Sequence, residues 1–196
     1  MNDTHPRDPS TRRVLCLAGS LRRDSWNRRL LAEAVRTAPK GLELSLFDHL
    51  AGVPMFNEDT EQIEPAGVGR LRSAVATADG LLVATPEYNH SFPGVLKNAI
   101  DWLSRGSNSV LVDKPVAIIG ASAGHWGTRL AQAALRQVFT ATEARVLPAP
   151  MLFVAHASEC FDVDGQLRDP KLAKALPVVI DAFRTWMLLH AQVSSE

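Results

Sequence analysis

Residues 14–27 read VLCLAGSLRRDSWN and combine an apolar run, a polar turn and the start of a helical pattern. The first five residues are all apolar, whereas Leu31, Val35 and Ala38 beyond the turn recur at helical spacing. A strand that is apolar throughout, instead of alternating, is expected where helices cover both faces of a parallel sheet. This stretch therefore predicts a strand, a loop and a helix of an α/β protein.

The same alternation of strand-like and helix-like segments continues along the chain. Strand-like runs occur at 14–18, 42–47, 81–84 and 116–119, with a weaker one at 144–147. Helical faces lie between them at Leu71, Val75 and Ala78, at Leu96, Ile100 and Leu103, and at Leu130, Ala134 and Val138. We expect a parallel, doubly wound sheet of five strands. In such sheets ligands bind at the carboxyl ends of the strands, which selects the loops after strands one, three and four.

A final helix is predicted after Asp169, which can cap it, with Pro170 in its first position. Its apolar stripe comprises Leu172, Leu176, Val179, Phe183 and Trp186. Pro177 is expected to kink this helix or to delay its start. We expect a single domain at 13–188, between a disordered N-terminal tail at 1–12 and a C-terminal tail at 189–196.

The composition excludes several classes of function. Lys and Arg together number 21, as do Asp and Glu, so no positive field attracts nucleic acid or an anionic membrane. No apolar run is long enough to span a membrane, and the N-terminus lacks the apolar run of a signal peptide. The two cysteines form no CxxC pair, and the six histidines show no metal-ligand spacing. A cytoplasmic protein without nucleic-acid or membrane partners is expected.

The loop after the first strand has the composition of a phosphate site. Ser20, Arg22, Ser25 and Asn27 can all donate hydrogen bonds to phosphate oxygens, and a helix N-terminus follows them. The loop contains neither G-x-G-x-x-G nor G-x-x-x-x-G-K-[ST], which disfavours ATP and GTP. An alternative interpretation is that Ser25 or Asp24 only caps the helix, while Arg22 is a solvated charge.

Two further loops carry unusual residues. Residues 85–94, TPEYNHSFPG, form a turn fixed by two prolines and a glycine, and its backbone amides suit the edge of a planar heterocycle. The amides of Glu87, Tyr88 and Asn89 have no obvious secondary-structure partner. Residues 120–127, GASAGHWG, contain three glycines that let a ligand approach the backbone.

These segments resemble the NADPH-dependent FMN reductase family, which includes bacterial quinone, chromate and azo-dye reductases. The matching stretches are GSLRRDSWN at 19–27, TPEYNHSFPGVLKNAIDW at 85–102 and GASAGHWGT at 120–128, with weaker echoes at 54–59 and 161–170. The resemblance implies a flavodoxin-like, three-layer α/β/α fold with strand order 2-1-3-4-5. It also implies bound FMN, NADPH or NADH as co-substrate, and a homodimer or homotetramer.

The resemblance also implies roles for individual residues. By this likeness the FMN phosphate is held by Ser20, Arg22, Ser25 and Asn27, the isoalloxazine ring is lined by Pro86, Glu87, Tyr88 and Asn89, and its other side is closed by Ser122 and Gly124. The chain departs from many relatives at residues 125–128, where HWGT replaces a Gly-Gly pair, so the shape of the acceptor pocket is open.

The expected activity is electron transfer from NAD(P)H through FMN to small acceptors such as quinones, azo compounds or chromate. The flavin carries this chemistry, so no catalytic side chain and no metal site are predicted. Three alternatives stay open: a flavodoxin-type electron carrier, a non-enzymatic FMN-binding stress protein and an organoarsenical reductase. The physiological acceptor and the choice between NADPH and NADH stay open as well.

Overall fold

A parallel sheet forms the centre of the computed structural model, which describes residues 11–106 and 109–191. Its strands are β1 (Arg12–Ala18), β2 (Leu42–Leu46), β3 (Gly80–Ala84), β4 (Pro115–Ala121), β5 (Arg145–Val146) and β6 (Leu152–Val154). The spatial order is β2-β1-β3-β4-β5, and every pairing is parallel. The predicted strand order is confirmed.

The fifth position of the sheet is filled by two short strands, where one was predicted. β5 pairs with Pro115 and Val116, whereas β6 pairs with the other end of β4, from Ile119 to Ala121. The sequence between the two strands, 147–151, reads LPAPM. Proline has no N–H for a sheet ladder, so the pairing stops and resumes beyond the second proline.

Helices cover both faces of the sheet. They are α1 (Trp26–Arg36), α2 (Ala66–Thr77), α3 (Gly94–Leu103), α4 (Arg129–Ala141), α5 (Ala157–Cys160) and α6 (Pro170–Ala191), and two 3₁₀ turns span Leu50–Gly52 and Glu58–Thr60. One apolar cluster joins the sheet to α1 and α6, and a second joins it to α2, α3 and α4. Alternate residues of β1 contribute to each cluster, which explains why this strand is apolar throughout.

The last helix begins where the sequence predicts. The Asp169 carboxylate accepts the backbone N–H groups of Lys171 at 2.6 Å and Leu172 at 3.1 Å. The helix continues across Pro177 to Ala191, so this proline does not delay its start. It passes the expected domain end at 188, and β1 begins one residue before the expected start at 13. Residues 1–10 and 192–196 of the predicted tails lie outside the described residues.

The long connection between β2 and α2 is fixed against α3. Asn98 donates through Nδ2 to the carbonyl of Pro54 at 2.9 Å, and the indole N–H of Trp102 donates to the same carbonyl at 2.8 Å. The backbone N–H of Phe56 donates to the side-chain oxygen of Asn98 at 2.7 Å. Within the described residues, no helix combines the length and apolar character needed to cross a membrane.

Candidate functional site

Three loops meet at the carboxyl ends of β1, β3 and β4 and enclose one cleft. Its lining comprises Ser20, Arg22, Ser25, Trp26, Asn27, Pro86, Glu87, Tyr88, Ala121, Ser122 and Ala123. Eight of the ten predicted site residues belong to this lining, whereas Asn89 and Gly124 do not. The parallel sheet brings the three loops together, because its strands all end at the same edge.

The loop after β1 presents polar groups at the N-terminus of α1. Ser25 is the N-cap residue of this helix, and its hydroxyl accepts the N–H of Asn27 at 3.2 Å. No acidic residue occupies the first turn, so no side-chain carboxylate there offsets the partial positive charge of the helix end. Ser20 and Ser25 are both buried. This end of the cleft suits an anion that accepts hydrogen bonds.

Arg22 and Ser20 complete the loop after β1. The guanidinium of Arg22 donates to the carbonyl of Asp24 at 2.9 Å, and the Ser20 hydroxyl lies 3.4 Å from the hydroxyl of Tyr88. The Ser20 hydroxyl also accepts the N–H of Arg22 at 3.4 Å. Arg22 is exposed and can turn its charge toward a ligand in the cleft.

Asn27 has a partner that the sequence did not indicate. Its Nδ2 donates to the carbonyl of Ala121, and its Oδ1 accepts the N–H of the same residue, both at 2.9 Å. Its side chain is buried. The amide nitrogen carries two N–H groups and one of them binds Ala121, so one is left for a ligand. These two bonds join the start of α1 to the end of β4, and an Asn27 amide that binds a phosphate would use only its remaining N–H.

The loop after β3 is a tight hairpin. Tyr88 and Ser91 exchange two backbone hydrogen bonds, at 2.9 and 3.0 Å, across Asn89 and His90, whose φ angles are 50° and 65°. The expectation that the Tyr88 amide has no partner is therefore wrong. Within the described part of the chain, the N–H groups of Glu87 and Asn89 have no acceptor.

The Glu87 carboxylate serves a neighbouring helix. Its Oε2 accepts the N–H groups of Leu130 at 2.9 Å and Ala131 at 3.0 Å, in the first turn of α4. Thr128, the N-cap residue of α4, makes no capping bond with its side chain. Glu87 therefore supplies the cap from another loop, and its carboxylate stabilises the positive end of this helix.

The loop after β4 is closed by side-chain and backbone bonds. The Ser122 hydroxyl donates to the carbonyl of Gly127 at 2.6 Å, and the N–H of His156 donates to the carbonyl of Gly124 at 3.2 Å. Of its three glycines, only Gly124 could carry a Cβ without crowding, since the nearest atom would be the Ser122 hydroxyl at 3.9 Å. A Cβ at Gly120 would overlap the hydroxyl of Thr128, and one at Gly127 would press on Phe153. Two of these glycines thus serve packing and not ligand approach.

No thiol of the chain is prepared for chemistry at this site. Burial raises the pKa of the Cys16 thiol to about 12. Burial, assisted by the nearby Asp169 carboxylate, raises that of Cys160 to about 11. Among the residues that the structure describes, no three His, Cys, Asp or Glu side chains are grouped as metal ligands would be. The cleft offers hydrogen-bond donors and aromatic surface, which suit binding a cofactor.

The strand order and the cleft at the ends of β1, β3 and β4 define a flavodoxin-like protein. The chain belongs to the NADPH-dependent FMN reductase family, since a sequence model of that family matches residues 12–159. It is therefore an oxidoreductase, and the resemblance drawn from the loop motifs is confirmed.

Individual relatives cover nearly the whole chain. An NAD(P)H-dependent FMN reductase of Pseudomonas aeruginosa is 42% identical over 89% of this chain and 95% of its own length. A 2-hydroxy-1,4-benzoquinone reductase of a Burkholderia species is 36% identical over 89% and 96%. The structure of FerB, an NAD(P)H:(acceptor) oxidoreductase of Paracoccus denitrificans, superposes with a TM-score of 0.85 at 36% identity, over 92% and 99%.

Proposed function

We propose that this protein binds FMN in the cleft and passes electrons from NADPH or NADH to small acceptors, above all quinones. The observation that carries the proposal is the convergence of three loops on one cleft. One end of the cleft offers Ser20, Ser25 and the N-terminus of α1 for a phosphate. The loop after β3 offers the N–H group of Glu87, which lines the cleft and has no acceptor among the described residues, for the edge of a planar ring.

The donor set fits FMN. A phosphate monoester carries about −1.5 to −2 charges near neutral pH, and charge-assisted hydrogen bonds to such a group are strong. Ser20 and Ser25 donate through their hydroxyls, Arg22 adds a guanidinium, and the helix end adds its N–H groups. Asn27 contributes its remaining N–H and holds the first loop against Ala121.

The residues around the ring bind and orient it. Pro86, Tyr88 and Ser122 line the same cleft, and the Tyr88 hydroxyl lies 3.4 Å from the Ser20 hydroxyl at the phosphate end. FMN held by these residues would supply the redox chemistry between a nicotinamide and an acceptor. Donors held at the ring edge would stabilise negative charge there, because they are fixed before the reaction. The hairpin at Tyr88 and Ser91 provides that rigidity.

The relatives support the choice of donor and acceptor. The Pseudomonas aeruginosa relative and FerB are both described as using NAD(P)H, and the Burkholderia relative as reducing a hydroxybenzoquinone. Azo compounds and chromate are further proposed acceptors, carried by the resemblance of the loop motifs. The same resemblance carries the proposal of a cytoplasmic homodimer or homotetramer.

The proposal is tested by mixing the FMN-loaded protein anaerobically with NADPH or NADH and following the absorbance of oxidised flavin. We expect rapid bleaching, followed by recovery when a quinone is added. A protein that holds FMN and stays oxidised would be a carrier or a scaffold, and a protein that does not hold FMN would contradict the assignment of the cleft.

The phosphate end has its own test, using two neighbouring arginines. Arg22 lines the cleft and Arg23 does not, although both are exposed. We expect Arg22→Ala to raise the Kd for FMN about tenfold, because a charge-assisted bond is lost. Arg23→Ala should leave that Kd unchanged. Riboflavin, which lacks the phosphate, should bind both variants equally. If Arg22→Ala weakened the binding of riboflavin as much as that of FMN, Arg22 would not act on the phosphate.

A further inference from the structure

Two exposed aromatic side chains lie on loops that contribute to the cleft. The chain has seven phenylalanines, four tryptophans and one tyrosine, all within the described residues. Of these twelve, only Tyr88 and Trp126 are exposed, at 52% and 69%. Tyr88 lines the cleft, and Trp126 lies three residues beyond Ala123, which also lines it. The aromatic surface that this chain leaves open to solvent therefore lies on two of the loops of the flavin site.

The exposure of Trp126 is not that of a loose turn. The bond between the Ser122 hydroxyl and the Gly127 carbonyl closes the turn that carries it. Gly127 has a φ of 65° and packs against Phe153, so the residue after Trp126 is fixed as well. A large apolar ring is thus held in water by a rigid backbone. A partner that covers this ring would remove apolar surface from water, which is favourable.

Two histidines support the indole from one side. The rings of His125 and Trp126 meet edge to face, with centroids 5.4 Å apart and planes at 80°. His125 is held in turn by His156, whose Nε2 lies 3.4 Å from its Nδ1. His156 is anchored through its own backbone N–H to Gly124. The indole is therefore contacted by the His125 ring, while most of its surface is exposed to solvent.

We propose that Trp126 is a specificity-determining residue that packs against the ring of planar aromatic acceptors, with His156 as a positioning residue. This inference rests on the proposed function of the cleft. Aromatic pairs gain attraction beyond the area that they bury, so a stacked or edge-on ring is favoured over a compact ion. An inorganic oxidant has no such surface to offer. Trp126 thus selects among acceptors by shape.

The first test measures binding without turnover. Anthraquinone-2-sulfonate is titrated into the oxidised, FMN-loaded protein by calorimetry, with no pyridine nucleotide present. We expect Trp126→Ala to raise the Kd about tenfold and Trp126→Phe to retain most of the affinity. Val163→Ala is the control, because Val163 is 91% exposed on the loop between α5 and α6. This variant should bind anthraquinone-2-sulfonate with the same Kd as the unaltered protein.

The second test compares two acceptors in turnover. We expect Trp126→Ala to lower the ratio of kcat/KM for 1,4-naphthoquinone to that for ferricyanide about tenfold, and Trp126→Phe to restore it. His156→Ala should lower the ratio less, because the His125 ring is then held only by its own turn. An unchanged ratio, or an unchanged Kd for anthraquinone-2-sulfonate, would overturn the inference.

Two further outcomes are separated from these. If Trp126→Ala reduces the mass of the assembly in light scattering, the indole packs against a second copy of the chain, and the inference is overturned. If NAD(P)H fails to reduce the flavin of the unaltered protein, the proposed function fails. The calorimetric titration would still show whether Trp126 contributes to binding an aromatic ring, because it needs no turnover.

Discussion

Asn27 and Ala121 are joined by two hydrogen bonds of 2.9 Å, one in each direction, between a side-chain amide and a strand backbone. They are 94 residues apart in the chain. The start of α1 is thereby fixed to the end of β4, and the cleft wall contributed by Ala121 is held in place beside the N-terminus of that helix.

Replacement of Asn27 tests this link. Asn27→Ala leaves a buried N–H and a buried carbonyl of Ala121 without partners, so we expect a loss of about 2 to 4 kcal/mol in the free energy of unfolding. Urea unfolding of the FMN-free protein measures it. Asn57→Ala is the control, because its side-chain oxygen accepts the N–H of Asp59 on an exposed turn. That variant should lose less than about 1 kcal/mol, and equal losses would contradict the link.

Glu87 provides a second prediction, on helix capping between loops. Glu87→Ala removes the acceptor of two N–H groups at the start of α4, so we expect a loss of about 1 to 2 kcal/mol. Glu87→Gln keeps an acceptor but no charge and should lose about half as much. Glu43→Gln, an exposed carboxylate on β2, should change stability by less than about 0.5 kcal/mol. Thermal unfolding compares the three, and an Ala variant as stable as the unaltered protein would show that α4 needs no cap.

The cap of α6 predicts a dependence of stability on pH. The backbone N–H of Leu172, and after it that of Lys171, hold the pKa of the Asp169 carboxyl below its usual range. A carboxyl whose pKa is lowered in the folded state stabilises the fold above its unfolded pKa, about 3.9, and loses that contribution as the pH falls through its folded pKa.

Asp169→Asn isolates this contribution, because it retains the capping oxygen and cannot ionise. We expect the unaltered protein to be more stable than the variant at pH 7, and the difference to shrink as the pH falls below about 4. Urea unfolding of both proteins at pH 7 and at pH 3 measures the difference. A gap that stays constant down to pH 3 would mean that the charge of Asp169 adds nothing to its cap.

The two thiols predict chemical inertness. Because both are buried and their pKa values are raised to about 12 and about 11, almost no thiolate exists at neutral pH. We expect Ellman's reagent to react with the folded protein at least about 100-fold more slowly than with the protein in guanidinium chloride. Rapid reaction of one thiol in the folded state would show that its surroundings open readily.

The sequence predicts β1 to β4 because buried parallel strands are uniformly apolar, and it predicts the start of α6 from Asp169 and Pro170. Helical faces were harder to predict. Val35 and Leu130 belong to predicted apolar stripes, yet they are 37% and 50% exposed. In their helices the buried faces include an amide, Asn27 in α1 and Gln132 in α4.

Buried amides escape hydrophobic patterns because their partners lie far away in sequence. The Gln132 side chain donates to the Thr128 hydroxyl at 2.9 Å and to the carbonyl of Leu152 at 2.8 Å, and the latter belongs to the strand that was missed. The same limit applies to the site. The strand pattern selects the three loops, because ligands bind at the carboxyl ends of parallel strands. The partners of Asn27 and Glu87 depend instead on how these loops meet.

The turn after β4 is fixed at both ends and open at its tip. Gly120 admits the Thr128 hydroxyl at one base of the turn, and Ser122 closes it onto Gly127. Exchanges at the frame disturb the sheet, whereas His125 and Trp126 at the tip are exposed and belong to no strand. With the role proposed for Trp126, a lineage with this fold could change the range of compounds it reduces at the tip while selection for folding preserves the frame.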